Sequence, residues 1–271
     1  MFEHIVKPVP GSSAGTHRRL SAGAWVAGLV AAVLLGASAG AQAAGRTADA
    51  PAAFGSSTID TLLAQARQRY HAAQAIFVVA DAADGPRAEL STYAYEDGHW
   101  SRVMKPVPAV LGKHGTSLHR HEGDMKSPAG IFRMGRAFGS QPEPAGVSLP
   151  YTRTTRYDYW VDDVSSPDYN RWETYYGDAD KRWKSYERLR IPAYEYAAVI
   201  EYNTHPIRKG AGSAIFFHIW PGPDGHTSGC TAVSKKHVLE VLRWLDPTKQ
   251  PVIIQGSREQ LLALARGAGR S

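Results

Sequence analysis

The sequence predicts one mainly β domain with few helices. Its apolar runs are short, and Gly, Pro and Asp interrupt them throughout. Helical spacing of apolar residues appears at 58–70 and 236–245, and briefly after Gly256. No regular alternation of strand and helix runs along the chain, which argues against a doubly wound α/β sheet.

The elements follow in order. Residues 44–57 are small and polar, with Pro51 among them, and read as a linker. Residues 58–70 place Ile59, Leu62, Leu63, Ala66 and Tyr70 on one helical face, with Ser57 or Thr58 as cap. Residues 75–80 form a strand ended by the 81–86 turn, 89–95 its partner, and 100–104 a continuation. Pro106, Pro108, Gly112 and Gly115 make 105–121 a loop. At 127–134 a turn set by Pro128 and Gly130 enters a strand, and 142–150 is a loop. Residues 151–190 mix Tyr and Trp with charge and fit no single period. Either a lid or groove wall, or a separate hydrophobic cluster, accounts for them. Residues 194–202 and 213–220 read as buried strands. The 236–245 helix ends before Pro247, 251–255 is a last strand, and a short helix and tail follow. The domain is thus placed at 58–257, with a tail at 258–271.

The N-terminus points to export. Lys7, Arg18 and Arg19 precede an apolar stretch from 22 to 40, and Ala41-Gln42-Ala43 fits small-x-small cleavage before Ala44. Residues 1–43 therefore read as a signal peptide. A retained membrane tether is the other reading, although a stretch rich in Ala and Gly transfers only modestly into lipid. Either way the expected location is the periplasm or cell envelope, and a monomer is the expected state. The chain has one cysteine, so an intrachain disulfide is excluded. That leaves a packing group, an intermolecular link or a reactive thiol. Without residues 1–43 the formal charge falls from +6 to +4, and this mildly basic body suits an anionic envelope. No basic block interleaved with aromatics is present, and nucleic acid is not an expected partner.

The chemistry concentrates in 212–256. Cys230 follows Gly229 in a turn, and His218 lies twelve residues upstream, at the end of the run Ile215, Phe216, Phe217. A thiol of ordinary pKa, about 8.5, needs an imidazole to take its proton. Backbone N–H groups of Ser228, Gly229 and Cys230 could hold an oxyanion. The second ring nitrogen of His218 needs an orienting carbonyl or polar side chain in the 221–227 loop. His226 is a rival base. His218, His226, Cys230 and His237 can be drawn as a zinc set, but their spacing matches no closed zinc signature. His119, His121, Glu122 and Asp124, beside Lys126 and Ser127, read as a solvated loop rather than a metal site. No metal or cofactor is called for.

These residues resemble the L,D-transpeptidase (YkuD-like) family. Its hallmark is a His, a spacer, then Ser/Thr-His-Gly-Cys, matched here by His218 and Thr227-Ser228-Gly229-Cys230. The run from Glu122 to Phe132 resembles the family segment before a core strand, and 158–163 resembles an insert of one bacterial subgroup. The likeness spans roughly 75–256. Two departures stand out: Ser228 replaces the usual His, and Ala232 the common Arg or Asn. Lys126, Arg133, Arg136 and Trp220 are then the candidates for substrate contact. The resemblance implies a mixed β-sandwich around a cysteine, acting on peptidoglycan stem peptides. His218 would take the thiol proton and Cys230 would attack the diamino acid's carbonyl at its L-centre. The terminal D-amino acid would leave. An amine acceptor gives a crosslink, and water gives an L,D-carboxypeptidase or link hydrolase. Ser228 and Ala232 also motivate a non-catalytic wall-binding module.

Overall fold

The computed structural model describes residues 54–267. The leader expected at 1–43 and most of the linker lie outside them. Helix α1 (Ser56–Tyr70) already begins within the expected linker, so the domain starts before 58. Its Leu62, Leu63 and Ala66 are buried, as the spacing predicts.

Strands β1 (Gln74–Ala80), β2 (Arg87–Glu96) and β3 (His99–Val110) form an antiparallel meander. Strand β3 runs on through Pro106 and Pro108, where the sequence predicts a loop. The prolines are tolerated because only β2 flanks that stretch; the neighbour on the other side meets β3 at Val110 alone. Short strands β4 (Thr116–Ser117) and β5 (Ser127–Pro128) pair in parallel. Next come β6 (Gly130–Gly139) and β7 (Tyr151–Arg153).

The aromatic segment folds into a small sheet of its own, β10-β8-β9. Its parts are β8 (Asp158–Val161), β9 (Arg171–Thr174), the short helix α2 (Ala179–Arg182) and β10 (Tyr186–Arg188). Both ends of this insert are stapled to the end of β6. The Thr154 N–H donates to the Gly139 carbonyl at 2.8 Å, and the Ser140 N–H to the Tyr194 carbonyl at 2.9 Å. Tyr194, read from sequence as a strand residue, closes a 3-10 turn opened by Pro192. The chain then continues through β11 (Ala197–Ile200), β12 (Phe216–Ile219), β13 (Thr231–Val233), α3 (Lys235–Trp244), β14 (Val252–Ser257) and α4 (Arg258–Ala265).

The main sheet has the order β11-β12-β13-β3-β2-β1-β14-β6-β7, and β6 also pairs with β11. That pairing closes eight strands into a barrel of mixed direction. The expected mainly β, YkuD-like fold is what forms: the sheet curls until its halves face each other across one core. Ile76, Val78, Leu90, Phe217, Val233 and Ile253 fill it, and Val238, Val241 and Leu242 of α3 pack against them. Each such side chain contributes about 1.5–3 kcal/mol by leaving water. On the other face of β1 and β14, Phe77, Val252 and Ile254 are covered by α1 and α4. A capping box of Ser257 and Gln260 starts α4, and Leu261 is fully buried. The segment from 258 is therefore part of the domain rather than a tail. Among the described residues, no helix is long and apolar enough to cross a membrane.

Candidate active site

Strands β12 and β13 run in parallel, with Phe217 opposite Thr231 and His218 opposite Ala232. Alternation sends Ile215 and Phe217 into the barrel core and Phe216 to the opposite face, which Cys230 shares. His218, two positions beyond Phe216, falls on that same face. Cys230, just before β13, is 5% exposed. Its sulfur accepts the Phe216 N–H at 3.3 Å, and its thiol donates to the Ala214 carbonyl at 3.3 Å.

The turn is pinned from several sides. The Thr227 hydroxyl donates to the Cys230 carbonyl at 2.7 Å and accepts the Gly229 N–H at 3.1 Å. Ser127 donates to the same carbonyl at 3.1 Å. Gly229 sits at φ 148°, and a Cβ there would lie 2.9 Å from the Lys126 carbonyl. Only glycine lets that strand approach.

His218 is also 5% exposed. Its Nδ1 lies 2.8 Å from the Ile219 carbonyl. A carbonyl only accepts, so Nδ1 carries the hydrogen and the basic lone pair falls on Nε2. The orienting group is therefore a backbone carbonyl, supplied by the strand itself rather than by the 221–227 loop. The imidazole packs edge-on against Tyr194, with centroids 5.1 Å apart. Tyr194 is buried between Phe138 and Phe216. Its hydroxyl donates to Glu187 Oε2 at 2.7 Å and also interacts with the Cys230 thiol. Tyr194 is thus a shared neighbour of His218 and Cys230. His226 is exposed in the loop, and His237 bonds Ser234 at the start of α3. Among the described residues, no group of His, Cys, Asp and Glu is placed to hold a metal ion.

The insert forms a wall of this site as well as a cluster of its own. Trp160 and Leu189 join Phe216 and Cys230, while Tyr159, Val161 and Trp183 pack together. Alternation along β8 divides its residues between the two clusters. Asn170 ties the insert down: its Oδ1 accepts from Trp160 Nε1 at 2.8 Å and from the Ala214 N–H at 3.2 Å.

In the polar cluster at 119–124, His119 and His121 are exposed as expected of a solvated loop, but Asp124 is not. Asp124 takes Arg120 Nε at 3.0 Å and Nη2 at 2.8 Å, with side chains 5% and 3% exposed. Burial opposes ionisation of Asp124, but Arg120 and the Lys126 and His121 N–H groups hold its carboxyl below the usual 3.8. Glu122 accepts from Tyr169 and, at 2.8 Å, from Ser213. Of the expected substrate contacts, Lys126 is half-buried with its backbone against Gly229. Trp220 is half-buried just past β12. Arg136 stands over Trp172, beside the insert. Arg133 is elsewhere: it bonds Gln250 at 2.9 Å and stands over Tyr70 of α1. Its place on β6 opposite Val252 turns it to the α1 side of the barrel.

Burial, joined by the Glu187 charge, pushes the Cys230 thiol up; the Phe216 N–H, Arg120 and Tyr194 act the other way. Burial also pushes Glu187 up to about 7, with the Asp162 and Glu122 charges adding to it and Tyr194 opposing. A raised folded-state value means that stability from this carboxyl is full below its ordinary 4.5. It is lost as pH rises through about 7. Glu187→Gln stays neutral, so the variant is expected to match the parent at pH 4. At pH 8 it should exceed it by about 2–3 kcal/mol, read by urea unfolding at both pH values. Equal stability at pH 8 would contradict the strained carboxylate.

A comparison with protein families matches residues 77–254 to YkuD, the L,D-transpeptidase catalytic domain. None of the curated proteins matches the chain. Among solved structures, it is similar to the helical cell shape determining protein Pgp2 from Campylobacter jejuni, at 16% identity and a TM-score of 0.37. That alignment covers 76% of this chain and 59% of the other, less than two thirds of it. The family match takes in well over half of the chain, including Cys230, His218 and the strands that carry them. On that ground the chain belongs to the YkuD family of L,D-transpeptidase catalytic domains, a cysteine-dependent family of peptidoglycan-modifying enzymes.

Proposed function

We propose that this protein acts on peptidoglycan stem peptides in the cell envelope by acyl transfer through Cys230. The observation that carries the reading is the shared setting of Cys230 and His218. His218 lies on β12 and Cys230 at the entry to the adjoining β13, on one face and both beside Tyr194, with the His218 lone pair assigned to Nε2. Nε2 takes the thiol proton as the sulfur attacks the carbonyl carbon of the diamino acid. Because the Gly229 N–H is engaged by Thr227, the developing oxyanion falls to the N–H groups of Ser228 and Cys230. The imidazolium then gives its proton to the departing D-amino acid, leaving a thioester. Water resolves the thioester to a shortened stem, the carboxypeptidase outcome; the amine of a second stem resolves it to a crosslink. Lys126, Trp220 and Arg136 remain the substrate contacts, and no metal or cofactor enters.

Mass spectrometry of the mature protein incubated with muropeptides tests this. The expected result is an acyl-enzyme with release of the terminal D-amino acid. Shortened monomers or crosslinked dimers identify the acceptor. No adduct and no release would overturn the reading. Deep burial of the thiol favours one second reading, a wall-binding module with an inert cysteine; muropeptide binding without turnover would establish it.

A further inference from the structure

We propose that Tyr194 is a further catalytic residue, which donates its hydroxyl hydrogen bond to the Cys230 sulfur once the thiol proton has left. Glu187, on β10 of the insert, is the positioning residue that decides when that hydroxyl is available. The inference rests on Cys230 being the nucleophile.

In the resting arrangement the thiol hydrogen goes to the Ala214 carbonyl, and the Tyr194 hydrogen goes to Glu187 Oε2 at 2.7 Å. The sulfur then has one donor, the Phe216 N–H. Phe138, Trp160, Leu189 and Phe216 pack around it, and the Arg120 charge behind Gly229 acts on it without a hydrogen bond. A thiolate formed there is an anion with a single hydrogen bond, which is costly. Tyr194 packs in the same cluster as Cys230, and its hydroxyl is close enough to the sulfur to influence the thiol's acidity. Its ring is clamped edge-on by Phe138, Phe216 and His218, so only the C–O bond has to rotate. Burial and the neighbouring Glu187 and Cys230 groups hold the phenol well above its usual range. It therefore acts as a donor and not as a base.

Glu187 competes for the same hydrogen. An ionised carboxylate only accepts, and keeps the hydroxyl turned away from the sulfur. A protonated carboxyl donates to the phenolic oxygen and releases the hydroxyl hydrogen to the thiolate. The groups facing Glu187 favour the protonated form. Asp162 and Glu122 present negative charge to it, and among the described residues no ion pair joins it to Lys or Arg. The protons balance: the thiol proton passes to His218 Nε2, Glu187 takes up one from solvent, and Tyr194 keeps its own.

The test is the rate of Cys230 alkylation by iodoacetamide against pH, which reads thiolate without any substrate. The parent, Tyr194→Phe, Glu187→Gln and the double variant are compared, with Cys230→Ser as blank. The glutamine amide donates to the phenolic oxygen at every pH. Glu187→Gln is therefore expected to alkylate about tenfold faster than the parent at pH 8, where the parent's carboxylate withholds the hydroxyl, and Tyr194→Phe about tenfold slower than the parent at pH 6, where Glu187 is protonated. Most of the glutamine gain should vanish in the double variant, because it acts through the hydroxyl. A Tyr194→Phe profile identical to the parent overturns the proposal. So does a glutamine gain undiminished in the Tyr194→Phe background, since the carboxylate then acts through space alone. If the native parent resists alkylation while its urea-unfolded form reacts, Cys230 is no nucleophile and the underlying reading fails instead.

Discussion

Cys230→Ser is expected to abolish the covalent muropeptide adduct and to lower turnover by about three orders of magnitude or more. A serine hydroxyl is too weak an acid for His218 to deprotonate to a useful extent, and the carbonyl attack needs an anion-like nucleophile. The fold should be untouched. The hydroxyl can keep both bonds that the thiol makes, from the Phe216 N–H and to the Ala214 carbonyl. Intact-protein mass spectrometry reads the adduct, and a thermal melt reads the fold. Retained turnover in a folded Cys230→Ser protein would remove the sulfur from the chemistry.

The second large effect is on stability. Asp124→Ala is expected to destabilise the domain by about 3–5 kcal/mol, because it leaves the Arg120 guanidinium charged, buried and without its carboxylate. Arg120 Nη1 already has no hydrogen-bond partner among the described residues, so little else is at hand to compensate. The loss should spread to the site, since Asp124 also fixes the Lys126 N–H at 3.0 Å and Arg120 lies behind Gly229. The pH dependence follows from the lowered carboxyl. Its contribution is full above the ordinary 3.8 and disappears as pH falls through the depressed folded value. Urea unfolding at pH 7 measures the loss. A change below about 1 kcal/mol, the size of an exposed pair, would contradict the buried assignment.

What the sequence discloses here follows element length, except in β3, the longest strand, whose two prolines read as a loop. Helices α1 and α3 and strands β1 and β2 are long enough for their periods to show. The insert strands and β13 have three or four residues each, too few for a period. Their aromatic residues also serve two clusters at once. Cys230 and His218 are legible because their chemistry is unusual and the turn beside them is glycine-marked. Arg120, Glu187 and Tyr194 are not, because nothing local sets them apart. Asp124 looks solvated until its arginine is seen turned inward, and Tyr194 looks like a strand residue until Pro192 winds the backbone before it. Arg133 lies on the α1 side of β6, away from Cys230, for a related reason. Which side of β6 faces the sulfur depends on its register with β14, a property of the closed barrel.

The staples at Gly139 and Ser140 draw both ends of the insert to a single point beside the β6–β11 pairing. The segment between them behaves as a cassette plugged into a socket. Its further ties, Asn170 to the Ala214 N–H and Tyr169 to Glu122, hold it beside the sulfur. On the reading proposed above, the insert both roofs the sulfur and supplies Glu187, so the acidity of Cys230 is set from outside the barrel that carries it.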